Sequence, residues 1–380
     1  MKQKIKICIL SELAYSLLAG KGIRGGAELQ MTILAKELVK RSYDVSFVTF
    51  DKSLNSYEII EGIKVYNPFD SKDSGYTYLN PKNLYKLLKI LKKINADIYI
   101  QRGTTPLTGI ISFFTKLNKK VFLYSVSSDN IINIDLSLKS LKDLKKIFFR
   151  FGVKNCNLVL CQTKYQRDIL KQVLHKDGKI IKNFYPFTTI EQKQKDSSVV
   201  KILWVGLIRK EKRPDLFLKL AKLFPEHSFW MIGGSSSHNP EYYDEIKESA
   251  KMINNLIFIG YVPHDQIHQY YEKSHLLVNT SANEGFPNTF LEAWGNANPV
   301  VSLNFDPDEI ICKYELGFHS KTFDDLVKDT YQLLINENLR NSMGINAKNY
   351  VLREHNVNNI IDEYVRLINN IIDMRKLESY

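Results

Sequence analysis

Residues 276–301 read LLVNTSANEGFPNTFLEAWGNANPVV, a stretch that holds a strand, a loop, a helix and a second strand. The apolar run at its start is typical of a buried strand. Pro287 cannot lie within a helix but fits just before its start, so a helix is predicted from about Asn288 to about Ala297. A strand, a crossover helix and a second strand form a parallel pair, which predicts an α/β fold.

The same alternation of strand and helix patterns runs along the whole chain of 380 residues. A polar segment at residues 190–198 separates two such series and is predicted to be a linker. Two doubly wound α/β domains are therefore expected, facing each other across a cleft, with ligands at the carboxyl ends of the strands. The predicted limits are 1–192 for the first domain, 193–355 for the second, and 356–380 for a C-terminal helix that packs back on the first domain. The strand segments are KIKICIL, VSFVTF, DIYIQ, KVFLYS and NLVLCQ in the first series and VKILWVG, HSFWMIG, LIFIGYV, HLLVNT and PVVSL in the second.

The composition is that of a soluble globular protein, with 44% hydrophobic and 25% charged residues. No apolar run approaches the ~18 residues that would span a bilayer. The apolar stretch near the start, Ile7–Leu10, is too short for the core of a signal peptide, which needs ~7 residues or more. Cys8, Cys156, Cys161 and Cys312 lack zinc-site spacing and are expected to be thiols in a reducing compartment, which predicts a cytoplasmic protein.

The net charge of +12 is unevenly distributed. Residues 1–200 hold 34 Lys and Arg against 17 Asp and Glu, a net +17, whereas residues 201–380 hold 19 against 24, a net −5. The first half is therefore expected to face a polyanion, such as an anionic membrane surface. A lysine-rich genome composition would raise the charge without any partner, and this alternative stays open.

Two basic amphipathic segments, LSLKSLKDLKKIFFRF and NLYKLLKILKKI, lie in the basic half. An apolar face bordered by lysines can meet anionic lipid. It can also be the side on which an outer helix packs against its own sheet. In the first segment, the residues predicted to share one apolar face are Leu138, Leu141, Leu144, Phe148 and Phe151.

The loop before the helix at Asn288 combines the features of an anion site with a carboxylate. The first N–H groups of a helix lack partners within the helix and carry partial positive charge, which suits a diphosphate. Gly285 would let a ligand approach the backbone closely. Glu284 would repel phosphate unless it faces neutral sugar hydroxyls, so the pattern predicts one ligand with both, a nucleotide sugar. Glu292 has an alternative role, because Thr289 and Glu292 fit a capping box.

The segment EGFPNTFLEA resembles the E-x₇-E signature of retaining glycosyltransferase family 4, which has the GT-B fold. WVGLIRKEKRPDLFLKLA resembles the strand, loop and helix that open the second domain in this family. GIRGGAELQMTILAKEL resembles the glycine-rich first loop of its first domain, and FIGYVP and PVVSLNFDPDEII also fit. The three motifs in this order are specific, and the likeness covers most of the chain.

The resemblance implies a role for each matching residue. Glu284 would touch the donor sugar, and Glu292 would hold the ribose hydroxyls of the nucleotide. Lys212 would neutralise the diphosphate. Backbone N–H groups that would hold sugar hydroxyls and phosphate belong to Gly285, Phe286, Asn288 and Thr289.

The match departs from the family pattern at two places. Many relatives carry an arginine directly after the glycine that matches Gly206, but this chain has Leu207 there, so Arg209 is the expected second phosphate cation. Many relatives also carry a polar pair with a histidine near the acceptor. The matching stretch here holds Ser128 and Asp129 without a histidine, which makes Asp129 the third expected catalytic residue beside Glu284 and Lys212. The remaining residues expected near the donor are Gly25, Gly26 and Tyr261.

The resemblance implies a metal-independent retaining glycosyltransferase that moves a sugar from a UDP- or GDP-linked donor to a saccharide or lipid-linked saccharide acceptor. Surface polysaccharide or glycoconjugate biosynthesis is the expected process, with no cofactor, no metal and no nucleic acid. The expected location is the cytoplasm, in peripheral association with the inner face of the membrane. Two alternatives stay open: a glycoside hydrolase, which would also use paired carboxylates, and a non-catalytic nucleic-acid-binding protein, which would account for the charge.

Overall fold

A computed structural model describes residues 4–20, 25–69, 77–129, 141–187, 199–235 and 239–377. The chain divides into two compact units: unit 1 contains Met1–Lys182 and Ile360–Tyr380, and unit 2 contains Asn183–Asn359. The linker predicted at residues 190–198 lies outside the described residues. Within the described part of the chain, no helix is long and apolar enough to cross a membrane.

Unit 1 is built on a sheet in which eight strands are described, in the order β3-β4-β2-β1-β5-β6-β7-β8. Neighbouring strands pair in parallel, except β3 and β4, which form an antiparallel hairpin at one edge. The sequence patterns missed this hairpin, whose turn residues Glu61 and Gly62 both have positive φ, and also the three-residue strand β8. The strands are β1 Lys6–Leu10, β2 Asp44–Val48, β3 Tyr57–Ile60, β4 Ile63–Tyr66, β5 Ile98–Arg102, β6 Val121–Ser125, β7 Leu158–Cys161 and β8 Gly178–Ile180.

The helices of unit 1 lie on both faces of this sheet. Tyr99 and Tyr124 project from one face: Tyr99 contacts α3 by a hydrogen bond to the Leu91 carbonyl, and its ring meets Phe114 of α4. Tyr124 meets Phe149 of α5. The helices are α1 Tyr15–Leu18, α2 Gly26–Lys40, α3 Pro81–Ile94, α4 Leu107–Leu117, α5 Leu141–Asn155 and α6 Lys164–Leu174. All but the first three residues of the last helix of the chain, α14 Val357–Leu377, also belong to unit 1.

Unit 2 contains a parallel sheet of six described strands in the order β11-β10-β9-β12-β13-β14. The direction of strand addition reverses between β9 and β12, which therefore form the switch point where the loops of an open α/β sheet diverge. The prediction of two doubly wound sheets is confirmed. The strands are β9 Lys201–Val205, β10 Ser228–Ile232, β11 Leu256–Gly260, β12 Leu276–Asn279, β13 Val300–Ser302 and β14 Gly317–His319. The helices are α7 Pro214–Leu223, α8 Pro240–Lys251, α9 His268–Lys273, α10 Asn288–Gly295, α11 Ile310–Lys313, α12 Phe323–Ile335 and α13 Glu337–Glu354.

The two basic amphipathic helices differ in the side that they bury. In α3, Leu87 and Leu91 are buried against the sheet of unit 1, as expected of an outer helix. In α5, Phe149 is buried, whereas Phe148 and Phe151 are exposed. The alternative that Phe148 and Phe151 pack on the sheet is therefore wrong for this helix. The predicted partners on that face, Leu138, Leu141 and Leu144, lie outside the described side chains.

Helices α4 and α5 cross in direct backbone contact through two glycines. A Cβ atom on Gly109 of α4 would collide with the carbonyl group of Phe148, and one on Gly152 of α5 would collide with the backbone of Thr108. Only residues without a side chain permit this approach, so the two helices form one closely joined pair.

We expect Gly109→Ala to lower the free energy of unfolding by about 1–3 kcal/mol, because the new methyl group overpacks the helix crossing. The better helix propensity of alanine offsets at most ~1 kcal/mol of this loss. Ser112→Ala on the same helix is the control, since the Ser112 hydroxyl is buried and makes no hydrogen bond within the described residues. Urea unfolding of the three proteins measures the difference. A Gly109→Ala protein as stable as wild type would contradict the crossing.

Candidate active site

The loops after β9 and β12 are held together at the switch point of unit 2. The Thr280 hydroxyl donates a hydrogen bond to the Lys212 carbonyl at 2.7 Å and accepts one from the indole N–H of Trp204 at 2.9 Å. The backbone N–H of Ala282 donates to the Glu211 carbonyl at 2.8 Å. Because β9 and β12 are parallel neighbours, their carboxyl ends lie at the same edge, and these bonds join the two loops there.

Lys212 and Glu284 form an ion pair across these two loops. Lys212 lies in the 3₁₀ turn Lys210–Lys212, and Glu284 lies four residues before α10. Both side chains are largely buried, so their attraction is screened less than that of a surface pair. The structure thus brings together the two residues that were expected to contact different parts of the donor. A diphosphate that binds Lys212 would have to compete with Glu284 for the ammonium group.

Helix α10 begins at Asn288, as predicted, and ends at Gly295, two residues earlier than expected. Pro287 occupies the N-cap position, and no side chain caps the helix, so the capping box of Thr289 and Glu292 is wrong. The helix start is therefore not occupied by a capping side chain.

Asn183 fixes the loop before α10 and was missed by the sequence reasoning. Its side-chain amide donates to the Phe286 carbonyl at 3.0 Å and to the Asn288 side-chain oxygen at 3.1 Å. The Phe286 ring is buried against Trp294 and His355. The Phe286 ring is thus not available to a ligand, and the role expected of its backbone N–H stays a prediction.

Glu292 is buried and held by two donors instead of by the helix end. The Tyr271 hydroxyl donates to one carboxylate oxygen at 2.7 Å, and Nε2 of His264 lies 3.1 Å from the other. Neither partner was predicted from the sequence. His264 follows directly on the FIGYVP segment, and its position after that motif is the signal that could have found it.

The carboxylate of Glu292 affects the titration of the groups around it. Burial lowers the pKa of His264, but the hydrogen bond and the charge of Glu292 outweigh it, and the net pKa lies above the ordinary histidine value. Burial and the same carboxylate raise the pKa of Tyr271 and that of Tyr185. The ring of Tyr185 meets that of His264 edge-on, with 6.1 Å between the ring centroids. Tyr271 therefore remains a protonated donor to Glu292 at neutral pH.

The other predicted residues of unit 2 lie on the loops that follow β9, β11 and β12. Gly206 follows β9 directly, and its N–H donates to the Ile232 carbonyl at 3.1 Å. Arg209 immediately precedes the 3₁₀ turn, and its buried Nε makes no hydrogen bond within the described residues. Tyr261 is exposed after β11, two strands away from β9, so the sheet does not bring it to Lys212. Gly285 is buried directly after Glu284.

In unit 1, Gly25 is the N-cap residue of α2 and Gly26 is its first residue. A Cβ on Gly25 would lie 2.9 Å from the Glu28 carboxylate, so this helix start already has an acidic group beside it. Asp129 follows β6 and accepts a hydrogen bond at 2.8 Å from the Gln166 amide of α6, which fixes its carboxylate.

Two charged residues at the carboxyl ends of β1 and β5, the switch point of unit 1, were not predicted from the sequence. Burial raises the pKa of Glu12, and the hydroxyl of Tyr78 lies 3.4 Å from its carboxylate. Burial also lowers the pKa of Arg102, the last residue of β5. Glu12 follows the apolar strand β1, and Arg102 ends the segment DIYIQR, which was the signal available in the sequence. Among the described side chains, no three His, Cys, Asp or Glu residues are grouped so that they could hold a metal ion.

Comparisons with known proteins give matches in both units. The family model described as "Glycosyl transferases group 1" matches residues 187–350, and the model described as "Glycosyltransferase Family 4" matches residues 24–185. Together they cover most of the chain. An uncharacterized glycosyltransferase of Haemophilus influenzae is 24% identical over 358 residues, 90% of this chain and 96% of that protein. The O-antigen biosynthesis glycosyltransferase WbnH of Escherichia coli is 23% identical over 287 residues, 73% of this chain and 77% of that protein.

Solved structures resemble the chain along nearly its whole length. Sucrose-phosphate synthase of Thermosynechococcus elongatus gives a TM-score of 0.78 at 14% identity and covers 98% of this chain and 100% of its own. HepE of Anabaena, solved in complex with UDP and glucose, gives 0.73 at 15% identity and covers 96% and 100%. At these identities the likeness establishes the fold, GT-B with two Rossmann-like domains.

We expect His264→Gln to cost more stability at about pH 6 than at about pH 9. The raised pKa of His264 means that its protonated form stabilises the fold below the ordinary histidine pKa of about 6.5, and this contribution is lost as the pH rises through the raised value. With allowance for partial exposure, the extra loss at low pH is up to about 1 kcal/mol. Urea unfolding at both pH values measures it, and His268→Gln, an exposed histidine on the same segment, is the control. Equal losses at both pH values would contradict the charged contact with Glu292.

Proposed function

We propose that unit 2 binds a nucleotide-sugar donor at the start of α10. The chain belongs to the glycosyltransferases: its first part matches the family 4 model, and its second part matches the group 1 model. The sugar is transferred to a saccharide or a lipid-linked saccharide in polysaccharide biosynthesis. One observation carries the proposal: Lys212, Glu284 and the uncapped start of α10 meet at the switch point, with Glu292 fixed one turn inside the helix.

The diphosphate of the donor would lie at the start of α10. The first N–H groups of that helix have no capping side chain, and Lys212 adds a full positive charge on the neighbouring loop. Negative charge develops on the diphosphate as the sugar leaves, and positive groups fixed in advance stabilise it without reorganisation. Arg209 is the second cation of the proposal, because its buried Nε is left without a hydrogen bond in the described residues.

Glu292 would bind the ribose. A carboxylate offers about four acceptor positions, and Tyr271 and His264 occupy one on each oxygen. One position per oxygen is thus left for the two ribose hydroxyls. Glu284 would hold hydroxyls of the donor sugar once the diphosphate draws Lys212 away from it. Asp129 would serve the acceptor, with its carboxylate oriented by Gln166.

The proposed reaction retains the configuration of the sugar, uses a UDP- or GDP-linked donor, and needs neither metal nor cofactor. In this proposal the departing diphosphate assists attack by the acceptor from its own side, as the resemblance to retaining family 4 enzymes implies. HepE, whose structure contains UDP and glucose, supports this class of donor for the fold. A proton NMR spectrum of the product compares its anomeric configuration with that of the donor and tests retention.

Neither alternative function fits the site as well. A glycoside hydrolase needs a carboxyl group that delivers a proton. Here both glutamates are held by donors: Lys212 binds Glu284, and Tyr271 and His264 bind Glu292. A nucleic-acid-binding protein would need no paired glutamates at a helix start. We propose that the enzyme works in the cytoplasm at the inner face of the membrane, where a lipid-linked acceptor would be held, and that nucleic acid is not a partner.

We expect Glu292→Gln to fold normally but to bind UDP or GDP about tenfold more weakly, because a charged acceptor for the ribose is lost. The loss should disappear when the same nucleotide lacks its 2′ and 3′ hydroxyls. Isothermal titration of wild type and variant with both forms of the nucleotide separates a ribose contact from a general weakening. An equal loss for both forms would contradict the ribose assignment.

We expect transfer to continue at an unchanged rate in excess EDTA, because helix N–H groups and Lys212 carry the diphosphate. The measurement is release of the nucleoside diphosphate with and without chelator, on protein first dialysed against EDTA. Loss of activity that Mg²⁺ or Mn²⁺ restores would show that the phosphate site has been assigned wrongly.

A further inference from the structure

Helices α4 and α5 of unit 1 expose large apolar side chains to solvent. Phe113 and Leu117 of α4 are 56% and 67% exposed, and Phe148 and Phe151 of α5 are 48% and 40% exposed. Single exposed apolar residues are ordinary, whereas a contiguous group marks an interaction surface. We call these residues, together with Ile147, which is 37% exposed, the α4–α5 face.

The glycine crossing places these side chains in one surface. Gly109 of α4 lies against the backbone of Phe148. Phe113 is one helical turn beyond Gly109, about 6 Å along the axis, and Leu117 is a further turn along the same side. Phe151 is three residues from Phe148 and shares its side of α5. The two helices therefore present one continuous apolar strip.

The core of unit 1 does not need these residues. Helix α4 buries Ile111 and Phe114 beneath it, and α5 buries Phe149 and Val153. The apolar side chains that hold both helices on the sheet are thus a different set from those of the α4–α5 face. This division leaves the exposed set available for a partner.

The helices around the strip carry only positive charge in their described side chains. Residues 81–94, 107–117 and 145–155 contain ten Lys and Arg and no Asp or Glu. Helices α3 and α4 both contact Tyr99 of β5, and α5 contacts Tyr124 of β6 on the same face of the sheet. The three helices therefore lie on one side of unit 1. The basic residues are Lys82, Lys86, Lys89, Lys92, Lys93, Lys116, Lys145, Lys146, Arg150 and Lys154.

We propose that the α4–α5 face docks unit 1 on a bilayer that contains anionic lipid, an inference that rests on the proposed transfer to a lipid-linked acceptor. The apolar strip would enter the boundary between headgroups and acyl chains, and the surrounding lysines would lie at the anionic headgroups. A second copy of the chain would set the same positive charges against one another. A nucleic acid would match the charge but not the aliphatic side chains of Ile147 and Leu117.

The test is co-sedimentation of the full chain with vesicles of phosphatidylcholine alone or with one quarter phosphatidylglycerol, at low and at 1 M salt. We expect binding to the anionic vesicles only. Removing three charges by Lys145→Gln, Lys146→Gln and Arg150→Gln should weaken it about 100-fold at low salt. Phe113→Ser with Phe148→Ser should weaken it at least about tenfold, because the side chains that enter the bilayer are lost.

Matched changes on unit 2 control for charge and apolarity in general. Lys219→Gln, Lys222→Gln and Lys247→Gln together remove three exposed charges, and Leu223→Ser with Met252→Ser removes two exposed apolar side chains. Both control proteins should sediment like wild type. Far-ultraviolet circular dichroism and urea unfolding should match wild type for all variants, which shows that each is folded.

Equal binding to neutral and anionic vesicles, or wild-type binding by either α4–α5 variant, would overturn the proposal. A dimer in size-exclusion chromatography that the Phe113→Ser and Phe148→Ser protein lacks would assign the face to a second copy instead. Transfer to a soluble saccharide is measured separately without vesicles. A failure there rejects the proposed function and leaves the vesicle result to be judged by itself.

Discussion

The parallel pairing of β9 with β12 is the constraint on which the candidate site depends. These strands are neighbours in the sheet although the segments that follow them are about 70 residues apart in sequence, as the separation of 72 between Lys212 and Glu284 shows. Parallel strands end at the same edge, and the order of the sheet reverses between these two. The hydrogen bonds of Thr280 and Ala282 then join the two loops, and the ion pair closes them.

The charged side chains of the candidate site in unit 2 have partners within the unit. Lys212 and Glu284 neutralise each other, and Glu292 is held by Tyr271 and His264. Buried charges with hydrogen-bonded partners cost less than isolated ones, so the sheet can keep these groups beneath the surface. The arrangement also fixes the carboxylate of Glu292 in one orientation, which is what a contact to a pair of ribose hydroxyls requires.

Much of the fold could be predicted because apolar strands and amphipathic helices have distinct periods, and Pro287 marked the start of α10. The partners of Glu292 could not be predicted from the sequence. The capping box is a local pattern, but Tyr271 and His264 lie 21 and 28 residues away, and only the packing of α9 and the loop before it brings them close.

In α5 the sequence showed which residues are apolar but not which side faces the sheet. Phe149 and Val153 are buried, and the predicted face with Phe148 and Phe151 points outward. The hairpin of β3 and β4 was not predicted, because its first strand is exposed along most of its length and lacks the apolar pattern of a buried strand.

In the proposed mechanism, Lys212 binds the diphosphate of the donor and is held by Glu284 until the donor competes for it. Isothermal titration of UDP and GDP with wild type, Glu284→Gln and Lys212→Gln tests it most directly, beside an assay of sugar transfer on the same proteins. We expect Glu284→Gln to bind the nucleoside diphosphate at least about fivefold more tightly, because the Lys212 ammonium is released and a repelling carboxylate is gone, while its transfer activity is lost. Lys212→Gln should bind more weakly. Unchanged or weaker nucleotide binding by Glu284→Gln, or wild-type transfer by that protein, would contradict these roles of Lys212 and Glu284.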